Sequence, residues 1–525
     1  MGGKTGFAIA AVLVAVLADA AGAATTRLDP QGTVLLDGRK VFPVVLAKGP
    51  EPETTSPAGR DALDEVVEAG VNVFKTGPAS RPWWPEDIAA AVEYDRAAAA
   101  RGAFTWANLA TLSDAEPGTL KEGRLREVVA ALESDPSRAA LAFWKGADEP
   151  WWAGTAPSAL QFAYCLGTSR GQPSWCADKP AADDEHLWVT IQAPKGTPAD
   201  LAPYTPVTDI HGVDHYPVTY TAEDPDLHEV GTWTGTVASV TPSGAVWTTL
   251  QVCASGSSDP AGSGNFVLPT RQQERYMIYD AIINGARSLA FYGGNLDRCW
   301  TAGDAAHGWN WTFWDTVLED LIREMNAASP IAHALVNPGS TRRLSSNELT
   351  TQVISRQGAT EDELWVIAAR QGAGTEPVTI SGLPERIQSG TVYTEGRTVD
   401  VRDGAFTDSF GRWDVHVYRF VVPPLPPPAP APPAQPPAAP APPVQPTGSV
   451  PATARRPALC IVPNVRLKPL PRAKWALIRA GCRIGRVRMV RSTRVRKGRV
   501  VAQGVRAKSR LRRGARVGLL VSAGR

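Results

Sequence analysis

At 525 residues the chain is too long for one domain and long enough to bury a large core. Its formal net charge of +2 conceals a segregation: residues 451–525 hold 22 Lys+Arg and no Asp or Glu, which leaves 32 basic against 52 acidic side chains in residues 1–450. An acidic body therefore carries a basic tail, which points to a polyanionic partner such as a wall polymer, an exopolysaccharide or an anionic lipid, with no nucleic acid expected.

Residues 1–23 read as a secretory signal. Lys4 gives a positive n-region, residues 7–18 an apolar stretch, and Ala21-Gly22-Ala23 a small-residue cleavage site. The apolar stretch is short for a membrane span and no other stretch is a candidate, so the expected location is secreted, extracellular or cell-wall associated. In an oxidising compartment the six cysteines read as disulfides, and proximity suggests Cys165 with Cys176, Cys253 with Cys299, and Cys460 with Cys482. No Cys-x-x-Cys pair or His-rich cluster argues for zinc; neither a metal nor a cofactor is expected.

Residues 28–330 alternate apolar runs with amphipathic or Ala-rich segments. The runs fall at 41–46, 71–74, 103–106, 141–144, 187–191, 210–213, 246–252 and 288–291. Helical patterns occupy 61–69, 86–100, 125–132, 272–284 and 314–327. Eight such strands over about 300 residues fit a (β/α)8 barrel better than an open doubly wound sheet, and no G-x-G-x-x-G follows the first run. Residues 335–421 change to short runs at 364–369, 378–380, 390–393 and 413–420 between Gly, Pro and Asp turns, which predicts a small antiparallel β-sandwich without chemistry of its own. From Pro423 to Pro446, 24 residues contain 14 prolines. This predicts a polyproline II spacer within a 423–450 linker, about 75 Å long if fully extended. A small domain follows at 459–525.

The chemistry concentrates in Ala142-Phe-Trp-Lys-Gly-Ala-Asp-Glu-Pro-Trp-Trp152. A buried strand ending at Trp144 delivers Asp148 and Glu149 to its carboxyl end, and Pro150 stops it. Trp151 and Trp152 offer flat apolar faces beside an acid, as a sugar cleft does. By the same logic Lys75 and Asn108 lie at the mouth, after the second and third strands. Trp83 and Trp84, between Pro82 and Pro85, are hard to bury and suit ring stacking; Trp300, Trp309 and Trp311 fall in loops too.

Five patterns occur in order: Leu36-Asp-Gly-Arg-Lys-Val-Phe-Pro43, Gly70-Val-Asn-Val-Phe74, Asp148-Glu149-Pro150, Val213-Asp-His-Tyr-Pro217 and Gly285-Ala-Arg-Ser-Leu-Ala-Phe-Tyr292. On these, residues 28–421 resemble the (β/α)8 glycoside hydrolases with a β-sandwich after the barrel. The resemblance implies that Leu36–Pro43 opens the barrel and that Glu149 is the acid/base on the fourth strand. Asp148 stands for the usual Asn and would bind a sugar hydroxyl, and Tyr292 ends the last strand. One departure is serious: the seventh strand ends in Gln251 where retaining members carry a Glu nucleophile, and Gln cannot form the glycosyl ester. Gln251 is then expected to hydrogen-bond a bound sugar. Asp214, two strands from Glu149, becomes the candidate general base, at the roughly 6.5–9.5 Å gap that admits a water for inversion. Tyr216 would orient a carboxylate or stack on a ring, while His215 faces away.

Val462-Pro-Asn-Val465, Ala473, Leu477, Ala480-Gly481, Gly498, Val500, Gln503 and Gly514 through Gly524 make residues 459–525 similar to a PASTA repeat. That similarity implies a β-α-β-β module, a Cys460–Cys482 staple between its first strand and helix end, and association with peptidoglycan or another anionic wall polymer. The expected whole is multidomain: a (β/α)8 TIM barrel, an antiparallel β-sandwich, a Pro-rich linker and a small α+β PASTA-like domain. The expected function is a secreted, wall-associated glycoside hydrolase acting on O-glycosidic bonds of a polysaccharide or cell-wall glycan, with a non-catalytic carbohydrate-binding barrel as the alternative.

Overall fold

The computed structural model describes residues 24–134, 139–167, 186–337, 339–340, 342–424, 459–468, 470–492, 495–496, 498–512 and 514–524. The expected signal segment, most of the proline-rich linker and the Cys165–Cys176 pairing lie outside the described residues. The chain divides into two compact units between Pro427 and Pro428, and each is described by itself.

The first unit opens on a three-stranded antiparallel meander, β1 (Thr26–Leu28), β2 (Val34–Leu36) and β3 (Arg39–Val41). Asp37 (φ 50°) and Gly38 (φ 76°) make the tight turn between β2 and β3, the Asp-Gly signature of a two-residue hairpin. This corrects the expectation that Leu36–Pro43 forms the first barrel strand. The barrel follows as β4 (Val44–Ala47), β5 (Val73–Thr76), β6 (Phe104–Asn108), β7 (Leu141–Asp148), β8 (Leu187–Gln192), β9 (Ile210–Asp214), β10 (Val246–Gln251) and β11 (Ser288–Tyr292). All neighbours are parallel, and β11 closes on β4. All eight predicted runs become strands, because a parallel strand covered on both faces is apolar nearly throughout.

Val45, Val73, Trp106, Phe143, Val189, Ile210 and Trp247 fill the barrel, with Val34 and Leu36 of the meander packed beneath them. Trp247 sits edge-on to Trp106 (5.2 Å) and Phe143 (4.9 Å). That floor seals one end and leaves the carboxyl ends of the strands for chemistry. Helices Ala62–Ala69, Pro85–Ala99, Leu120–Ser134, Pro157–Gly167, Glu229–Ala238 and Arg271–Ile283 form the outer ring.

The sandwich comprises β12 (Ser345–Ser346), β13 (Thr351–Gln357), β14 (Glu363–Arg370), β15 (Glu376–Ser381), β16 (Ser389–Val392), β17 (Arg397–Asp400), β18 (Ala405–Phe410) and β19 (Asp414–Val421), in a three-stranded and a five-stranded sheet. β14 is buried along its whole length because its faces serve two cores. Trp365, Ile367 and Ala369 join the barrel-side cluster, while Leu364, Val366 and Ala368 join the sandwich interior.

The second unit runs β20 (Leu459–Ile461), a helix Leu470–Arg479, β21 (Arg483–Val490), β22 (Val500–Gln503), β23 (Arg510–Arg512) and β24 (Arg516–Ser522). β20 pairs with β23, and β24 lies between β21 and β22, so the module has two strands beyond the expected β-α-β-β. Val465, Leu477, Val500, Val517 and Leu519 form its core beside the Cys460–Cys482 disulfide. Among the described residues of the chain, no helix is long and apolar enough to cross a membrane.

Candidate active site

Strand β7 carries the site through a local irregularity. Its pairing with β8 shifts register between Lys145 and Asp148, and Glu149, next in line, has φ of 47° with its amide donating to the Ile191 carbonyl at 2.7 Å. In a regular strand Asp148 and Glu149 would face opposite sides. The bulge and the left-handed residue re-aim both carboxylates into one cleft, a strained arrangement of the kind stored at functional sites. Gly146 is required in the bulge, since a Cβ there would lie 1.9 Å from the Trp188 indole nitrogen.

The cleft, of about 320 Å³, lies at the carboxyl ends of the strands. Lys75, Trp106, Lys145, Asp148, Glu149, Asp214, Tyr216, Thr249, Tyr292 and Arg298 line it. Lys145, buried in the strand, donates to Asp148 Oδ1 at 2.6 Å. Asp148 itself opens to the cleft, and although its setting opposes ionisation, the charges of Lys145 and Lys75 hold its carboxyl below the ordinary range. Glu149 is shifted the other way, by partial burial and by the negative charge of Asp148.

Glu149 and Asp214 both line the cleft, and each bears on the other's ionisation. Burial and the charges of Glu149 and Asp148 push Asp214 up to about 8, so Asp214 holds a proton at neutral pH. Tyr216, two residues on from Asp214, stacks its ring on Tyr292 at 5.5 Å and 22°. Lys75 lines the cleft and has no ion pair among the described residues; burial and the charge of Lys145 push its ammonium down to about 8.

Several expected binding residues lie elsewhere. Gln251 is fully buried and clamps the loop after β9: its amide nitrogen donates to the Val218 carbonyl at 2.5 Å and to Ser257, and its oxygen accepts from the Val218 amide. It cannot reach a sugar. Asn108 is buried and spends its amide on the Pro78 carbonyl, at 2.5 Å. Trp83 is also buried, with its indole N–H on the Asn108 carbonyl at 2.8 Å and its ring against Gly77. Trp151 is half-buried against helix-side clusters. Trp84 and Trp152 are exposed but do not line the cleft; Arg81 covers one ring at 4.1 Å and Lys195 the other at 2.9 Å. Trp309 and Trp311 are core, while His215 faces away toward Glu229 as expected.

Sequence reasoning did not single out Lys145, Arg298, Thr249 or Trp106. A lysine inside an apolar run was the available signal for Lys145; Arg298 sits in a loop with no local pattern. The Cys253–Cys299 disulfide links the loops after β10 and β11, next to Arg298. Among the described residues, no group of three or more His, Cys, Asp or Glu is placed to hold a metal ion.

No family model matches the sequence, and no curated protein matches it. Among solved structures the chain is similar to one described as a glycoside hydrolase, at 13% identity over 76% of this chain and 97% of that one, with a TM-score of 0.49. It is similar to a glycoside hydrolase family 5 protein from Bacteroides vulgatus at 13% identity, over 76% and 94% of the two chains, with a TM-score of 0.46. A GH27 β-L-arabinopyranosidase from Geobacillus stearothermophilus matches at 11% identity over 73% and 96%, with a TM-score of 0.46. No residue role is carried across from them.

Proposed function

We propose that this protein is a secreted glycoside hydrolase acting on O-glycosidic bonds of a polysaccharide or cell-wall glycan, with Glu149 as general acid. The observation that supports it best is the division of labour among three neighbouring acids. Asp214 is held protonated at neutral pH and Glu149 is raised, while Asp148, against Lys145, is lowered. Acids whose environments drive their pKa values apart supply the proton donor and the fixed negative charge that glycosidic cleavage needs. In this reading Glu149 protonates the leaving oxygen, Asp148 faces the cationic character that develops at the anomeric carbon, and a water attacks that carbon and gives up a proton that restores Glu149. The stacked Tyr216 and Tyr292 offer an apolar wall to a sugar ring.

Purified full-length protein and its Glu149→Gln variant, compared across wall and plant glycans, test this reading. Release is expected to fall by about 10²–10⁴-fold in the variant. One specific observation favours the second reading, a carbohydrate-binding barrel without turnover: β10 offers no carboxylate to the cleft, because Gln251 is tied into a loop. Equal binding of one glycan by both proteins with no sugar released would establish it.

The basic second unit supports retention on an anionic wall polymer, peptidoglycan included. Arg483, Arg488, Arg510, Arg512 and Arg516 project from its strands into solvent. Such retention is electrostatic and should weaken steeply between low and high salt; salt-independent wall binding would refute it.

A further inference from the structure

At the end of the barrel opposite the cleft, where the sandwich packs against it, lies a second cavity of about 550 Å³. Four arginines line it: Arg287, just before β11; Arg342 and Arg343, ahead of β12; and Arg356, on β13. Among the described residues no Asp or Glu lines it. Arg356 is only 6% exposed; among the described residues its Nη2 donates to the Ile282 carbonyl at 3.2 Å, and its buried Nε has no partner. Arg287 is half-buried and donates weakly to the Asn337 carbonyl at 3.3 Å. Arg342 donates to the Gly382 carbonyl, and Ser340 and Ser355 add hydroxyls at the wall. The nearest carboxylates are engaged or outside. Asp29, whose charge reaches Arg287, is paired with Lys40 at 3.0 Å. Glu361 and Glu363 line an adjoining cavity, and Glu363 is bonded to Arg419.

Buried cations without counter-charges are costly, and leaving one unpaired is costlier than never burying it. Burial and the charge of Arg287 push Arg356 down to about 9, so even a guanidinium, the most persistent cation among side chains, is under strain there. An anion entering the cavity would relieve that repulsion and engage several planar forks at once. We infer that this cavity is a binding site for a phosphate dianion, held by Arg287, Arg342, Arg343 and Arg356, with room beside it for the small polar molecule that carries it. The site is independent of the catalytic reading and lies away from its cleft.

Calorimetric titration of full-length protein in 150 mM NaCl tests the inference, with inorganic phosphate, glucose 6-phosphate and glucose as separate probes. One saturable phosphate-dependent site per chain is expected, and none for glucose; tighter binding of the ester than of the free ion identifies a phosphorylated sugar as the ligand. Arg356→Gln and Arg287→Gln should each weaken binding at least tenfold. The exposed pair Arg342→Ser with Arg343→Ser, which leaves the buried packing untouched, should weaken it several-fold with unchanged melting. If Arg356 only caps the preceding helix, its variant melts lower while phosphate affinity stays put, and the proposal fails. It fails equally if wild type and all variants bind phosphate alike, which would place the binding on the basic second unit, or if no saturable site is found.

Discussion

Asp214→Asn offers the sharpest test of the acid pair because its signature is a pH-dependent difference. Asp214 rises from an ordinary 3.8 to about 8 in the fold. For an acid raised in this way the folded state binds more protons than the unfolded chain, so stability falls as pH climbs from the unfolded value to the folded one. At 1.36 kcal/mol per unit, the roughly three units crossed between pH 4 and pH 7 amount to about 4 kcal/mol. Asparagine cannot ionise and escapes that loss. The variant should therefore match the wild type near pH 4, gain on it steadily, and level off above pH 8. Urea denaturation at several pH values, followed by tryptophan fluorescence, measures this directly, since 14 of the 17 tryptophans precede residue 330 and report the barrel. Buried acids away from the cleft titrate equally in both proteins and cancel, while Glu149, which bears on Asp214, contributes a smaller change of its own. A variant-minus-wild-type difference that stays constant from pH 4.5 to pH 8 would refute the raised Asp214.

Gln251→Glu should not create a nucleophile. Its amide donors face the Val218 carbonyl and Ser257 inside the protein, so a carboxylate there loses about 2–4 kcal/mol of stability without raising sugar release; a faster, retaining enzyme would overturn the placement. Glu274, on the helix Arg271–Ile283, is fully buried with neither oxygen partnered among the described residues, and burial raises its pKa well above the ordinary range. Glu274→Met should stabilise by about 1–3 kcal/mol at neutral pH and by less near pH 4, where the native acid is protonated in both states. Thermal melts at the two pH values check the sign, and a destabilised variant at neutral pH would count against it.

The barrel was legible because its strands are covered on both sides, so each reads as an apolar run regardless of its neighbours. The sandwich was less so. β13, β17 and β18 are rich in polar residues such as Gln352, Thr398 and Asp408, and in sequence they look like the turns between strands. Trp83 shows a different failure. Its Pro-flanked tryptophan pair has the composition of an exposed loop, yet Gly77 opens a slot for the ring and Asn108 supplies a carbonyl for the indole. Those partners are distant in the chain, so no local pattern announces them. Lys145 was passed over because a charge inside an apolar run suggests that the strand has ended; the strand continues because Asp148, three residues on, returns to pair with it.

The same reasoning explains why residue type named the acids but could not assign their roles. Asp148 and Glu149 are adjacent, and nothing in the dipeptide makes one a proton donor and the other a fixed charge. The difference arises from what other strands bring. Lys75 on β5 and Lys145 on β7 favour the ionised form of Asp148, while burial and the charge of Asp148 raise Glu149, and Asp214 on β9 is raised in turn by burial and by Glu149. Neutralising a lysine should therefore act first on Asp148: with Lys145 gone, Asp148 loses its ion pair and tends to hold a proton of its own. The reactive asymmetry belongs to the closed barrel, which sets residues 75, 145 and 214 around one short bulged segment.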